Sequence, residues 1–198
     1  MELRLLSLLR RGSRRFSLLA LLVFAWLFGP QQSTCIWSAE PTTSKEYQIK
    51  AAFIYNFTKF VEWPAEAFPQ PVSPIVIGVL GSNPFGDELR KTVENRRVNG
   101  RELVIQPISS PRDLQSVHVL FISASEAGRW SEILRPLQQR PVLTIAETEA
   151  FLKEGGMIGF VFDGDKVRFA VNMDSAEAAG IKISAQLQKL ASSVRKKP

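Results

Sequence analysis

A single histidine and a single cysteine limit the chemistry available to this chain of 198 residues. His118 lies in the apolar run VHVLFIS, where a buried or edge-strand histidine is a simpler interpretation than a catalytic one. A hydrolase that uses His118 is retained as a third hypothesis. Cys35 precedes the expected folded domain, so we exclude disulfides, thiol catalysis and zinc–thiolate sites there. We predict no metal, no cofactor and no catalytic residue.

The turn GSNPFG at residues 81–86 is the nearest approach to an anion-binding motif, because it follows an apolar run and opens a helix. Amide groups at helix N-termini attract phosphates and carboxylates. The glycine spacing matches no nucleotide-binding fingerprint, so a plain strand-to-helix turn is the simpler interpretation. If a small ligand binds, Ser82, Asn83 and Gly86 are the candidate ligand-binding residues.

Asp163 and Asp165 flank Gly164 between two apolar segments. A calcium loop needs about six oxygen ligands, so turn formation explains these aspartates better than metal binding does. Together with Lys166 and Arg168 they make a charged hairpin tip, which suits the rim of a reversible protein interface. We predict Asp163, Asp165, Lys166 and Arg168 as partner-binding residues, with a solvated turn as the alternative.

Residues 1–39 have the parts of a secretory signal peptide. They hold five arginines and one glutamate, a net charge of +4, which leaves +2 of the total of +6 for the remainder. The apolar run Phe16–Gly29 is shorter than the roughly 20 residues of a membrane-spanning helix. We expect cleavage near Ser38 or Ala39 and an exported protein. Since most of the positive charge lies in this segment, the charge does not favour nucleic-acid binding.

The remainder alternates between apolar runs and polar helical segments, a pattern typical of α/β proteins. Four runs, at residues 74–81, 101–109, 117–125 and 141–147, predict strands of a parallel sheet. The segment MIGFVFDGDKVRFAVNM, residues 157–173, predicts a hairpin. Pro107 indicates a sheet edge or bulge, and Pro136 a kinked or divided helix. We predict one α/β domain over residues 44–194, with about six strands in a mixed, largely parallel sheet that ends in a C-terminal β-hairpin and is flanked by helices.

The stretch KAAFIYNFTKFVEWP, residues 50–64, predicts an amphipathic helix. Thr43 and Glu46 have the spacing of a capping box at its start. Its predicted apolar stripe consists of Ile49, Phe53, Phe57 and Phe60 or Val61. Lys50 lies off that stripe. Because the charge is nearly balanced, core packing explains the stripe better than a membrane surface or a ligand site does. We expect Phe53 and Phe57 to be largely buried.

Two helices are predicted near the C-terminus. Asp174 and Glu177 have capping-box spacing and begin a short helix that Gly180 ends. A final helix carries Leu187, Leu190 and Val194 as its apolar residues.

The ordered series YQIKAAFIYNFTKFVEWP, IGVLGSNPFG, VHVLFISASE, PVLTIAE and GGMIGFVFDGDKVRFAVNMDSAEAAGIKISAQLQKLA resembles the YfiR-like family of exported bacterial proteins. The resemblance covers residues 47–191. It implies a single α/β domain with a six-stranded sheet and a tendency to form a homodimer. It also implies a periplasmic repressor that binds the periplasmic domain of an inner-membrane diguanylate cyclase and is sequestered by an OmpA-like outer-membrane lipoprotein.

Family members often carry cysteines where this chain has Gly78 and Val117. The resemblance therefore implies that this chain lacks both halves of that pair.

The leading hypothesis is an exported, non-enzymatic regulator that binds the periplasmic sensory domain of a membrane signalling protein, a diguanylate cyclase or a sensor kinase, and so controls cyclic-di-GMP signalling and biofilm formation. The alternative is a periplasmic small-ligand-binding protein that uses the carboxyl ends of the parallel strands, around residues 81–86 and 123–126.

Overall fold

The fold is described from a computed structural model, which covers residues 42–109 and 113–196. The predicted signal peptide and Cys35 lie outside the described residues. The helices are α1 (Thr42–Phe60), α2 (Glu88–Val93), α3 (Trp130–Leu134), α4 (Ala150–Lys153), α5 (Met173–Ala178) and α6 (Ala185–Leu190). The strands are β1 (Val61–Glu62), β2 (Ile75–Leu80), β3 (Arg97–Val98), β4 (Arg101–Ile108), β5 (Val119–Ile122), β6 (Leu143–Ala146), β7 (Ile158–Asp163), β8 (Lys166–Asn172), β9 (Lys182–Ile183) and β10 (Ser193–Arg195).

Eight of these strands form one twisted sheet in the order β10-β8-β7-β6-β5-β2-β4-β3. Strands β4, β2, β5, β6 and β7 run parallel, and β8 returns antiparallel to β7. The predicted α/β class, with a largely parallel sheet and a C-terminal hairpin, is confirmed. The six predicted strands are present, and the short strands β3 and β10 are added at the two edges. Strands β1 and β9 pair separately.

Helices cover both faces of the sheet. Since successive side chains of a strand point to opposite faces, each central strand contributes to two core layers. In β5, Val119 and Phe121 pack into the core layer beneath α1. Leu120 and Ile122 pack into the layer beneath α3 and α4. Burial on both faces explains why the central strands read as continuous apolar runs in the sequence.

Helix α1 buries a different face from the one predicted. Phe57 is fully buried, as expected, but Phe53 is only partly buried. Ile49 is 40% exposed, whereas Lys50 is 2% exposed, so the predicted positions of these two residues were wrong. The buried positions follow helical spacing one residue further along: Lys50, Ile54, Phe57, Thr58 and Val61. The helix begins at Thr42, one residue before the predicted cap.

The helices near the C-terminus also differ from the sequence prediction. Helix α5 is capped by Asn172, whose side chain accepts a hydrogen bond from the Ser175 amide, and Asp174 lies inside the helix. Helix α6 ends at Leu190, and Val194 lies exposed in β10. Pro136 divides its helix as predicted, since α3 ends at Leu134 and a 3-10 turn follows.

Sequence reasoning missed a second hairpin, which joins β3 to β4. Asn99 and Gly100 both have positive φ, at 51° and 79°, as a type I′ turn requires. The Asn-Gly pair is itself a strong hairpin signal. Because β3 pairs only with Arg101 and Glu102, Pro107 lies on an open edge of the sheet, as its type predicts.

Candidate functional site

The β7–β8 hairpin ends in a two-residue turn that presents its tip to solvent. Asp163 pairs with Lys166 across the turn, and Gly164 has φ +58° at the first turn position, as in a type II′ turn. Phe162, next to the tip, is 57% exposed, although aromatic side chains are usually well buried. We call Phe162, Asp163, Asp165, Lys166 and Arg168 the hairpin surface.

The hairpin surface has an aromatic face and a charged face. Cross-strand pairing of Val161 with Arg168 and of Asp163 with Lys166 places those side chains on one face of the hairpin. Phe162 points to the other face, the side on which α1 packs. Arg168 Nε lies 3.8 Å from Asp163 Oδ2, and both groups are exposed, so this ion pair contributes little stability. Three of the four predicted partner-binding residues therefore share a face, and Asp165 lies in the turn.

A buried ammonium group lies beside the aromatic face. Lys50 Nζ is 2.8 Å from Glu147 Oε1 and also pairs with Glu46, one helical turn earlier. Glu147 directly follows β6, and its Oε2 also accepts a long hydrogen bond of 3.4 Å from the Ala124 amide. Because buried charges need such partners, the ion pair joins α1 to the carboxyl end of β6.

Three aromatic rings surround the same ammonium. Its distance to the ring centre is 4.6 Å for Tyr47, 5.8 Å for Phe160 and 5.6 Å for Phe162. The Tyr47 hydroxyl donates a hydrogen bond of 2.8 Å to Glu147 Oε1. Burial, and then that carboxylate, raise the pKa of Tyr47 well above its usual range, so the hydroxyl remains a donor. We call Lys50, Glu46, Glu147 and Tyr47 the Lys50 cluster. The Phe162 ring packs against its ammonium group.

The Lys50 cluster was not predicted from the sequence. The available signal was Glu147, a carboxylate placed directly after a buried parallel strand, where functional side chains of α/β proteins often lie. Its partner is 97 residues away in the chain, so no local pattern joins the two.

The polar groups of the predicted ligand-binding turn form hydrogen bonds within the turn and to Ser125. Asn83 Nδ2 donates to the Gly86 carbonyl, and Asn83 Oδ1 accepts from the Phe85 amide. The Ser82 amide donates to Ser125 Oγ at 3.0 Å. Phe85 is buried against Phe121. These contacts favour a structural turn, and ligand binding at Ser82, Asn83 and Gly86 stays a prediction.

The ring of His118 has both nitrogens occupied by backbone groups. Nδ1 accepts from the Val76 amide at 3.1 Å, and Nε2 therefore donates to the Ala67 carbonyl at 3.1 Å. A buried ring with no free nitrogen cannot take a proton from a substrate, which removes the support for a His118 hydrolase.

Neither a metal site nor a membrane span is found in the described part of the chain. Among these residues, no three His, Cys, Asp or Glu side chains are grouped as metal ligands would be. None of the helices in residues 42–109 and 113–196 has the length and apolar character to cross a bilayer. One surface pocket of about 340 Å³ lies between α3 and α5, lined by Leu137, Gln138, Thr144, Met157 and Ser175, among others, and away from the predicted turn.

The described residues thus form an α/β domain with a largely parallel sheet and an exposed hairpin tip. The sequence model described as YfiR/HmsC-like matches residues 47–192, so the chain belongs to the YfiR/HmsC-like family. The resemblance seen in the sequence is confirmed. The family is one of periplasmic, non-enzymatic regulators, and membership supports a regulator of diguanylate cyclase signalling in general.

Two solved structures share the fold. A conserved domain protein from Vibrio cholerae O1 biovar El Tor has 13% identity and a TM-score of 0.51. The ABC domain in complex with L-Trp from Streptococcus pneumonia has 14% identity and a TM-score of 0.51. Each alignment covers 75% of this chain and 60% of the other chain. At such identities the likeness shows the fold alone.

The structure places Gly78 beside Val117, the two positions where the family resemblance implied a cysteine pair. A Cβ atom on Gly78 would lie 3.2 Å from Val117 Cγ1 and 2.8 Å from Ile108 Cγ1. We expect the double variant Gly78→Cys/Val117→Cys to form a disulfide in air and to gain about 2–4 kcal/mol of unfolding free energy, provided that Ile108 shifts. Thiol titration and urea unfolding test this, with Gly78→Cys alone as the control. Two free thiols after oxidation would contradict it.

Proposed function

We propose that this protein is an exported, non-enzymatic regulator that binds the periplasmic sensory domain of an inner-membrane diguanylate cyclase and represses it. The observation that carries the proposal is the hairpin surface, with a supported aromatic side chain on one face and charges on the other. Family membership supports the same conclusion in general. In this proposal residues 1–39 direct export and are then removed by cleavage, and the mature protein acts in the periplasm.

The two faces of the hairpin surface have different roles in this proposal. Phe162 is the anchor, because a large exposed ring held above the Lys50 cluster loses little freedom on binding. The charged face, made by Asp163, Lys166 and Arg168, has a net charge of +1 and steers an acidic partner surface, since rim charges change association rates more than final affinity. Release of repression follows when an OmpA-like outer-membrane lipoprotein sequesters the regulator. The second class of partner in this proposal is a sensor kinase. The proposed assembly is a homodimer. Nucleic acid is not a proposed partner.

We expect Phe162→Ala to weaken binding to the cyclase periplasmic domain at least tenfold, because it removes the anchor. Arg168→Glu should slow association and reduce its salt dependence. Calorimetry and surface binding kinetics with the purified partner domain measure both effects. Val104→Ala is the matched control, since Val104 is also exposed but lies in β4, far along the sheet from the hairpin.

Two results would refute this proposal at different levels. Unchanged affinity of Phe162→Ala would show that the hairpin surface is not the interface. Unchanged cyclic-di-GMP after deletion of the gene would show that the protein does not regulate a cyclase.

The second candidate function is periplasmic binding of a small ligand, and the pocket of about 340 Å³ favours it because it is as large as the smaller ligand sites of proteins. A thermal-shift screen with a metabolite panel tests it. A ligand raises the stability by RT ln(1 + [L]/Kd), so the expected result is a selective shift that keeps growing with the logarithm of the ligand concentration above Kd. Loss of that shift in Asn83→Ala would assign the ligand to residues 82–86, whereas loss in Thr144→Val would assign it to the pocket.

A further inference from the structure

Three flat side chains are stacked near the amino end of β5. The guanidinium of Arg101, from β4, lies 3.6 Å from the ring centre of Phe68. The Phe68 ring lies 4.5 Å from the His118 ring at an interplanar angle of 15°. Trp63 packs edge-on against the same imidazole and donates to the His118 carbonyl. Phe68 is therefore held between a permanent cation and a titratable ring.

The hydrogen bonds around His118 fit only its neutral form. Nδ1 is an acceptor for the Val76 amide, so the proton of the neutral ring is on Nε2, facing the Ala67 carbonyl. A second proton would be on Nδ1 and would point at the Val76 N–H. Two donors would then face each other in a buried place, and Phe68 would lie between two cations.

Two guanidinium groups and one carboxylate lie near the ring. Burial lowers the pKa of His118, and the Arg101 charge lowers it further, while the hydrogen bond to Ala67 acts in the opposite direction. Glu66 from the 3-10 turn and Arg140 before β6 line the small cavity beside the ring. The Arg140 guanidinium donates to the Leu114 and Gln115 carbonyls.

The segment from Pro64 to Pro74 is attached to the sheet mainly through this stack. Ala67 is bonded to His118, and Phe68 lies on its ring. Among the described residues, the other side-chain hydrogen bonds of this segment to the sheet run from Arg101 Nη1 to the Gln70 and Ser73 carbonyls. The rest of its bonds are internal turns.

We propose that residues 64–74 form a flap that acid releases, with His118 as the proton sensor. When His118 gains a proton, its bonds to Val76 and Ala67 cannot both persist, and the flap leaves the sheet. The surface pocket lined by Val61, Trp63, Phe68, Ile75, Val98 and Arg101 then widens. The proposal is independent of the regulatory function proposed above.

The sign follows from proton linkage. The closed state holds His118 neutral, whereas the open state exposes a histidine with an ordinary pKa near 6.5. The open state therefore binds more protons below about pH 6.5. The flap is therefore most stably closed above that pH. Below it, the equilibrium constant for closing falls by up to tenfold for each pH unit, until the pH at which His118 of the closed state is itself protonated.

Hydrogen exchange and NMR on the purified protein test the flap directly. His118 is the sole histidine, so an untagged sample gives one imidazole signal. We expect the protection of the hydrogen-bonded amides of Ala67, Phe68 and Val76, corrected for intrinsic exchange, to fall up to tenfold per pH unit below about 6.5. Protection of the β5 and β6 amides should change much less. If the flap amides keep their protection while the imidazole signal titrates near 6.5, the proposal is wrong.

Matched variants separate His118 from the neighbouring carboxylate. His118→Asn places an acceptor where Nδ1 lies but does not titrate, so flap protection should become independent of pH between 5 and 7. Glu66→Gln should retain the pH dependence of the unmodified protein. A pH dependence lost in Glu66→Gln and kept in His118→Asn would assign the effect to Glu66 and overturn the proposal. If His118→Asn does not fold, the NMR titration alone decides.

Discussion

Lys50→Met is expected to lower the free energy of unfolding by about 3 kcal/mol, because it leaves the Glu147 carboxylate nearly buried without its cation. The cost arises from desolvation. A carboxylate that keeps only the hydroxyl of Tyr47 and the long bond from Ala124 has lost its strongest partner. Urea unfolding followed by circular dichroism measures the loss.

A double-mutant cycle identifies the cause of that loss. In Lys50→Met/Glu147→Gln, neither charge remains buried, so most of the stability should return. Lys59→Met is the matched control, since Lys59 is an exposed lysine of the same helix and should change stability little. If the double variant is as unstable as the sum of the single variants, the ion pair is not the source of the effect.

The same variant connects the Lys50 cluster to binding. Lys50 supports the ring of Phe162 at 5.6 Å. Under conditions in which Lys50→Met remains folded, its affinity for the cyclase domain should fall in the same direction as that of Phe162→Ala, but by less.

The strands were predictable from the sequence because burial on both faces leaves a local mark. The runs around β2, β5 and β6 are apolar at nearly every position, and the tight turn at Gly164 predicts the β7–β8 hairpin. Family membership was predictable for the same reason, since it depends on the order of such segments. The short strand β10 was not, because three residues at a sheet edge carry no periodic pattern. Strand β3 was signalled by the Asn99-Gly100 turn and was missed.

The face of α1 was assigned wrongly for a physical reason. A lysine is normally placed on the solvent side of a helix, because burying an unpaired ammonium is costly. Lys50 can be buried because it pairs with Glu46 and with Glu147, which directly follows a distant strand, and a one-residue shift of the stripe results. The N-cap of helix α5 was also assigned wrongly. Asn172 and Asp174 have similar capping preferences, and Asn172, the last residue of β8, is the one that caps the helix.

The charged residues of the hairpin tip were named from the sequence, whereas Phe162 was not, because alternation in a strand does not show how far the covering helix extends. Phe160 and Phe162 point to the same face. Phe160 is buried and Phe162 is exposed, because the packing under α1 ends between them.

Phe57→Ala is expected to destabilise the fold by about 3–5 kcal/mol, the range for removing a fully buried phenylalanine. Its ring contacts Phe53, Phe160 and Phe169 at centroid distances of 5.9, 6.0 and 4.9 Å, so truncation leaves a cavity walled by three rigid rings. Urea unfolding measures the effect.

Phe162→Ala is the matched variant of the same residue type. Because its ring is more than half exposed, we expect a loss of less than about 1 kcal/mol in stability together with the large loss in binding. The two variants thus separate folding from recognition. Phe57→Ala should change the stability without identifying the interface, whereas Phe162→Ala should change the binding with little effect on the stability. A stability loss for Phe162→Ala as large as that for Phe57→Ala would show that the hairpin tip belongs to the core, and its ring could then not serve as a free anchor for a partner.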